Sequence, residues 1–538
     1  MSESRPAALD TATVATAERL TARLHRLLHD LPFEAVPGDF AVALREAARP
    51  PAGGANGDPV AVPSPAAGDP PLALDLVELA RRLADGELRS VEVTAAALDA
   101  LETVGRELGA VVRLRREEAL RRAEDLDARR RAGRLVGPLH GVPLAHKDMF
   151  HRAGEPSGCG TVLFRRRRVA VTATVLERLD RAGAVDLGRL AMVEIALGVT
   201  GHNAHTGTPR NPWDPARLTG GSSSGSAAAV AARCIPAALG SDTGGSVRIP
   251  AAFCGLVGLK PTFGLVPRGG TMPLSWSLDH VGPLARSARD CTLLLHVLAG
   301  PDARDPSSRL GEGIPIPRSA PGTLRGLRVL AVEDVPEAAV QGRVRRLFAE
   351  ALGALAEAGA VVERGELPEI ETIQTARRVV LMAEAATLHL AHLRTRGDRL
   401  LPHTLARLRP GLAFGAATLG TALRARGVLL RRFCRAVFDR FDLIATPTVP
   451  VPAPAIAATD TDGDARFVRL SNRIGALVGP FNYLGLPAVS VPMGLVGRLP
   501  VGLQLVGPPF ADAAVLGAAA AFEGVRGPLP RGPAVRAA

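Results

Sequence analysis

Gly240-Ser241-Asp242-Thr243-Gly244-Gly245-Ser246-Val247-Arg248-Ile249-Pro250 is the stretch on which the reading of this chain turns. Two consecutive glycines before a serine let the backbone fold tightly, so that several N–H groups point into one space, as an oxyanion hole requires. The plainer reading is a Gly-rich turn between a strand entered at residues 235–239 and a helix that starts at Pro250. A second Gly/Ser cluster lies just upstream. Thr219-Gly220-Gly221-Ser222-Ser223-Ser224-Gly225-Ser226 runs into Ala227-Ala228-Ala229-Val230, an Ala-rich helix start whose free amides suit oxygen atoms. Alone, that cluster reads as a loop with a serine N-cap. Beside the first it reads as part of a site.

Lysine usage points the same way. Of the 65 basic residues only Lys147 and Lys260 are lysines; all the others are arginines. A guanidinium cannot serve as a neutral base, whereas an ammonium gives up its proton when desolvated. A retained lysine is therefore a candidate for chemistry that arginine cannot perform. The net charge of +12 and the runs Arg129-Arg130-Arg131 and Arg165-Arg166-Arg167-Arg168 suggest phosphate binding. Acids are mixed among the arginines, however, and Tyr483 is the only tyrosine, so aromatics for base stacking are scarce and nucleic acid is not the expected partner. Five scattered cysteines without Cys-x-x-Cys spacing fit reduced thiols. With no apolar run of about 18 residues and no signal-like N-terminus, a cytoplasmic protein with no membrane span is expected.

Along the chain, residues 1–49 read as a helical appendage, with helices near 14–29 and 40–48, and residues 50–71 as a Pro/Gly/Ala linker. Residues 72–528 read as one large catalytic domain and 529–538 as a frayed tail. Within the domain, Leu74, Leu76, Leu79, Ala80 and Leu83 lie at helical spacing, and Ser90-Val91-Glu92-Val93 caps a helix expected to reach about residue 120. From 137 to 282 short apolar runs alternate with helices, as at 169–182 (helix) and 184–187 (strand). A further α/β stretch follows at 327–358, residues 371–440 are helical, and strands are expected at 441–446, 488–492 and 501–506.

His140-Gly141-Val142-Pro143-Leu144-Ala145-His146-Lys147-Asp148, Gly220-Gly221-Ser222-Ser223-Ser224-Gly225 and the opening stretch together resemble the amidase signature family. The intervals of 75 residues from Lys147 to Ser222 and 24 from Ser222 to Ser246 agree with that family's pattern. The resemblance extends from Leu72 to about Glu523. It implies an α/β fold, a single large domain with a mixed, twisted β-sheet surrounded by helices, and a Ser–Ser–Lys triad that needs no cofactor or metal. Ser246 would be the nucleophile, Ser222 a bridging serine on a cis peptide, and Lys147 the base. The amides of Thr243, Gly244, Gly245 and Ser246 would hold the oxyanion, with Ser223, Asp242 and Arg248 in support and Lys260 structural. The implied activity is hydrolysis of a small-molecule carboxamide to a carboxylate and ammonia or an amine; homodimers are common in the family.

Its alternative is the A subunit of a glutamine-dependent tRNA amidotransferase. That subunit would carry an Asn-Leu-Ala-Arg-like stretch after the Glu-Ala pair, and Glu384-Ala385-Ala386-Thr387-Leu388-His389 lacks it. Gly221-Ser222-Ser223-Ser224-Gly225 also satisfies the Gly-x-Ser-x-Gly elbow, which needs a later acid and histidine, and the last histidine is His403. Glu384, His389 and His392 do not have a standard zinc spacing. Met149, Phe150, Met192 and Trp276 hint at an aliphatic or aryl amide.

Overall fold

Short aliphatic runs, buried along most of their length, build one large sheet. The computed structural model describes residues 9–29, 39–49, 70–316, 318–319, 322–459 and 463–529. All of the expected linker except Pro70 and Pro71, and all of the expected tail except Leu529, lie outside the described residues. In chain order the strands are β1 (Val111–Leu114), β2 (Pro143–Lys147), β3 (Val185–Leu190), β4 (Arg210–Asn211), β5 (Asp214–Leu218), β6 (Ala237–Asp242), β7 (Val257–Lys260) and β8 (His280–Ala285). They continue as β9 (Arg328–Ala331), β10 (Val361–Arg364), β11 (Leu443–Pro447), β12 (Ala488–Val496) and β13 (Leu499–Val506). Among the described residues eleven of them form one sheet in the order β1-β3-β2-β6-β8-β7-β12-β13-β11-β9-β10, and β4 and β5 form a separate hairpin.

The sheet is mixed, as expected. β3, β2 and β6 run parallel, as do β11, β9 and β10, while the strands between β6 and β11 pair antiparallel. β6 is buried at all six positions, which is why its sequence carries no hydrophobic alternation.

Helices surround this sheet. The first are α1 (Thr11–Leu28), α2 (Phe40–Glu46), α3 (Leu76–Asp85), α4 (Ser90–Ala100), α5 (Arg116–Arg131), α6 (Thr174–Arg181), α7 (Ser224–Ala231) and α8 (Arg248–Cys254). They are followed by α9 (Ala288–Leu298), α10 (Gly342–Glu357), α11 (Ile370–Leu388), α12 (Leu390–Arg396), α13 (Pro402–Leu408) and α14 (Ala416–Phe438). The last are α15 (Ala465–Gly475), α16 (Pro480–Tyr483) and α17 (Asp512–Arg526). α9, α10 and α17 pack against β7, β8 and β12, and α7 and α8 against β6, β7, β12 and β13. α1 lies on α11 and α14, and α2 on α14, so that Leu24, Leu28, Ala43 and Leu44 join the main core.

Four local expectations are corrected. The helix from residue 90 does not reach 120: it ends in a π turn at Leu101–Gly105, and β1 separates it from α5. Gly109, at φ +67°, turns the chain, and Val111-Val112 then join the sheet beside β3, where β-branched side chains fit well. Ser90 does not cap α4 with its side chain. Its amide donates to Asp127 at 2.8 Å and its hydroxyl to the Gly141 carbonyl at 2.9 Å, tying α4 to α5 and to the entry of β2. Likewise the expected helix at 169–182 is confined to α6, and α8 begins at Arg248, two residues before Pro250.

Candidate active site

Lys147 ends β2, and the neighbouring parallel strand β6 leads directly into the Asp242–Ser246 turn. Because Ala145 and His146 register with Ala238 and Leu239, the lysine lies beside the C-terminal half of β6, which holds Ser241. Its Nζ donates to Ser222 Oγ at 2.7 Å and to Ser241 Oγ at 2.8 Å, with no ion pair among the described residues. The side chain is wholly enclosed. Burial pushes the ammonium down from its ordinary value of 10.5 to about 7, against the opposite pull of the Asp242 and Asp279 carboxylates. Lys147 is thus poised to lose its proton near neutrality.

Ser222 sits on a cis Gly221–Ser222 bond ahead of α7. Its carbonyl accepts from the Val193 amide at 3.1 Å, and the Gly221 amide donates to the Val199 carbonyl at 2.8 Å. Ser223 does not cap α7; its hydroxyl lies 3.3 Å from both the carbonyl and the amide of Ser241, joining the two Gly/Ser loops. Fully enclosed, Ser223 cannot be the exposed nucleophile that an α/β-hydrolase elbow would need. Gly240 makes this closeness possible, since a Cβ there would lie 2.6 Å from Ser223 Oγ.

The turn that carries Ser246 is organised by Asp242. Its carboxylate accepts from the amides of Gly245 at 2.7 Å and Val247 at 3.1 Å, and pairs with Arg248 at 2.9 Å. Although burial alone would raise it, the Arg248 charge and its hydrogen bonds hold the Asp242 carboxyl well below the usual carboxylate range. Arg248 reaches further, to Gln504 Oε1 and Asn482 Oδ1 at 2.7 Å each and to the Val478 carbonyl at 3.0 Å. Asn482 in turn donates to the Asp242 carboxylate at 2.8 Å. Thr243 Oγ1 donates to Asp279 at 2.6 Å.

Ser246 itself is buried but for a small opening, and its hydroxyl makes no hydrogen bond among the described residues, Ser222 included. The amides of Thr243, Gly244 and Ser246 likewise have no partner among the described residues, whereas that of Gly245 is held by Asp242. The turn thus offers three amides and one hydroxyl without partners among the described residues, while the lysine–serine chain itself ends at Ser222.

The Amidase family model matches residues 92–516. The chain belongs to the amidase signature family. It is 38% identical over 478 residues to the A subunit of glutamyl-tRNA(Gln) amidotransferase from Symbiobacterium thermophilum, a match that covers 84% of this chain and 96% of that protein. A bacterial aryl acylamidase of the amidase signature enzymes superposes with a TM-score of 0.77 and 28% identity, over 84% of this chain and 96% of that one. The peptide amidase of Stenotrophomonas maltophilia superposes with a TM-score of 0.71 and 31% identity, covering 86% of this chain and 99% of that one.

Of the residues singled out from the sequence, hydrogen bonds link Lys147 to Ser222, the Ser223 amide to the Ser246 carbonyl, and Asp242 to Gly245 and Arg248, while the Ser246 hydroxyl is joined to neither Ser222 nor Lys147. Sequence reasoning missed Ser241, the second acceptor of Lys147, and Asn482 and Gln504, which brace Arg248. Both late residues stood inside segments already matched to the family, but nothing in their local pattern pointed to Arg248. Lys260 is enclosed, donates to the Pro261 carbonyl at 3.0 Å and has no link to Ser222 or Ser246. Met149, Phe150 and Met192 belong to the core, and so carry no hint about substrate. Glu384 is bound by Ser275 and Ser277, and no group of three potential metal ligands occurs among the described residues.

Proposed function

We propose that this amidase signature enzyme cleaves a carboxamide C–N bond with Ser246 as nucleophile, Ser222 as proton relay and Lys147 as base. The observation that carries the proposal is the enclosed Lys147 amine, with a value of about 7, bonded to Ser222 at 2.7 Å. A neutral amine has two N–H groups and one lone pair. Ser241 accepts one N–H, which helps to aim the lone pair at Ser222. Ser222 then gives its proton to Lys147 as it takes one from Ser246, a step that requires the Ser246 hydroxyl to swing onto Ser222 about χ1.

Attack on the substrate carbonyl forms a tetrahedral oxyanion, received by the amides of Thr243, Gly244 and Ser246. Gly245 shapes the turn at φ +111°, its own amide anchored on Asp242. As the C–N bond breaks, the proton returns through Ser222 to the leaving nitrogen, and the acyl group remains as an ester on Ser246. Water, deprotonated along the same route, then attacks the ester, and the carboxylate leaves. Ser223, Asp242 and Arg248 act through the shape of the two loops.

A second reading shares this chemistry. The curated relatives, named as amidotransferase A subunits, favour a role in which the chain releases ammonia from glutamine within a complex. The absence of an Asn-Leu-Ala-Arg-like stretch after Glu384-Ala385 favours a free-standing amidase. The purified chain, treated with a fluorophosphonate probe and a panel of simple amides that includes glutamine, tests both. Labelling and turnover lost together in Ser246→Ala support the proposal; labelling that survives Ser246→Ala refutes it. Glutamine hydrolysis that emerges only with partner subunits selects the second reading.

A further inference from the structure

Three neighbouring polar residues of α11, Gln374, Arg377 and Arg378, meet different fates. Gln374 donates to the Ala476 carbonyl at 3.1 Å, which fixes the helix beside the loop before α16. Arg378 pairs with Glu337, whose carboxylate Arg23 also approaches at 3.5 Å. Arg377, between them in sequence, is 9% exposed and makes no hydrogen bond or ion pair among the described residues. Its Nε is enclosed without a partner, whereas its two terminal nitrogens are not among the enclosed unpartnered atoms and so reach accessible space.

Two glycines mark where the guanidinium lies. A Cβ on Gly479 would come within 2.7 Å of Arg377 Nε, and one on Gly244 within 3.1 Å of Nη1. Gly244 is the partly exposed member of the turn, two residues before Ser246. The Arg377 head group therefore borders the approach to the free amides of that turn.

The surroundings do not neutralise this charge. The groups that act on it are Arg378, Arg407 and Arg248 against Glu337 alone, and Glu337 is already engaged by Arg378. Burial, followed by these arginines, lowers the guanidinium to about 9. Arg248, by contrast, has Asp242, Asn482 and Gln504. An enclosed cation without a counter-charge is costly in a folded protein, and a planar fork of donors beside a substrate-binding turn matches a carboxylate in a bidentate way.

Resting on the hydrolase reading above, we infer that Arg377 is a specificity-determining residue that binds a carboxylate carried by the amide substrate, a few bonds from the scissile C–N. The substrate class is then an amide of a dicarboxylic or amino acid rather than a neutral aliphatic or aryl amide.

Succinamate and succinamide, alike in shape and different in charge, test this. The wild-type chain prefers succinamate by about tenfold or more in kcat/KM, mainly through KM, the scale of a lost charge-assisted hydrogen bond. Arg377→Gln brings that ratio close to one, and Arg377→Lys restores part of it. A thermal-shift arm needs no turnover: succinamate raises the wild-type Tm more than succinamide does, and the difference vanishes in Arg377→Gln. Arg377→Met, which removes the unpaired charge, raises the Tm of the unliganded chain. Equal ratios and equal shifts in wild type and Arg377→Gln overturn the inference, as does a wild type indifferent to the carboxylate. Fluorophosphonate labelling of Ser246 in the same samples separates this failure from failure of the hydrolase itself.

Discussion

At the scale of single residues the proposed mechanism turns on the protonation state of Lys147. Only the neutral amine accepts a proton, and its fraction rises with pH through about 7. In kcat/KM, activity therefore falls about tenfold per pH unit below that value and levels off above it. A pH–rate profile flat from about pH 5 to about pH 9 would remove Lys147 from the base role. Lys147→Arg keeps the charge but not the ability to shed it, and costs about 10²- to 10⁴-fold in kcat/KM. The sequence singled out this lysine by its rarity and its neighbours. It could not supply the amine's acidity, because desolvation is a property of the whole enclosure.

At the scale of elements, the site is a junction of two loops locked together by close backbone approach. α7 starts with Ser224 and Gly225, and a Cβ on that glycine would lie 2.5 Å from the Ala110 carbonyl oxygen and 2.5 Å from the Ala191 nitrogen. The helix thus sits directly on the backbone beside β1 and β3, and Ser222 is placed by that contact. Gly225→Ala is expected to destabilise the fold by about 1–3 kcal/mol and to cut activity with it. Denaturant unfolding with a parallel assay checks this; an unchanged midpoint would mean that the junction has slack. The Gly/Ser run into an Ala-rich helix was legible as an element start. Its capping was not, because Ser223 uses its hydroxyl on Ser241 instead of on α7.

For the whole molecule, the N-terminal helices are part of the same core as the site. α1 and α2 cover α11 and α14, and α11 carries Arg377 toward the turn. Phe40 lies under the Arg426 guanidinium, 3.3 Å from Cζ to the ring centroid, while Arg426 Nε donates to the Tyr483 carbonyl behind α16. Removal of residues 1–49 takes Leu24, Leu28, Ala43 and Leu44 out of the core, each large aliphatic side chain representing about 1.5–3 kcal/mol of burial. The truncated chain is expected to melt several degrees lower and to bind its amide more weakly. Calorimetry and KM on the two chains measure it, and matching values would show that the helices are dispensable.

What the sequence alone determined is the chemistry on offer and its order along the chain. The two glycine-rich turns, the serines within them, the retained lysine and the α/β alternation are local patterns, and local backbone freedom and residue type are readable one segment at a time. Tertiary structure alone decided which of those groups are charged and which are paired. Arg248 finds Asn482 and Gln504 from 234 and 256 residues away, and Arg377 makes no ion pair among the described residues. Desolvation and counter-charge depend on segments that meet only when the sheet closes, and no reading of neighbours in sequence contains them.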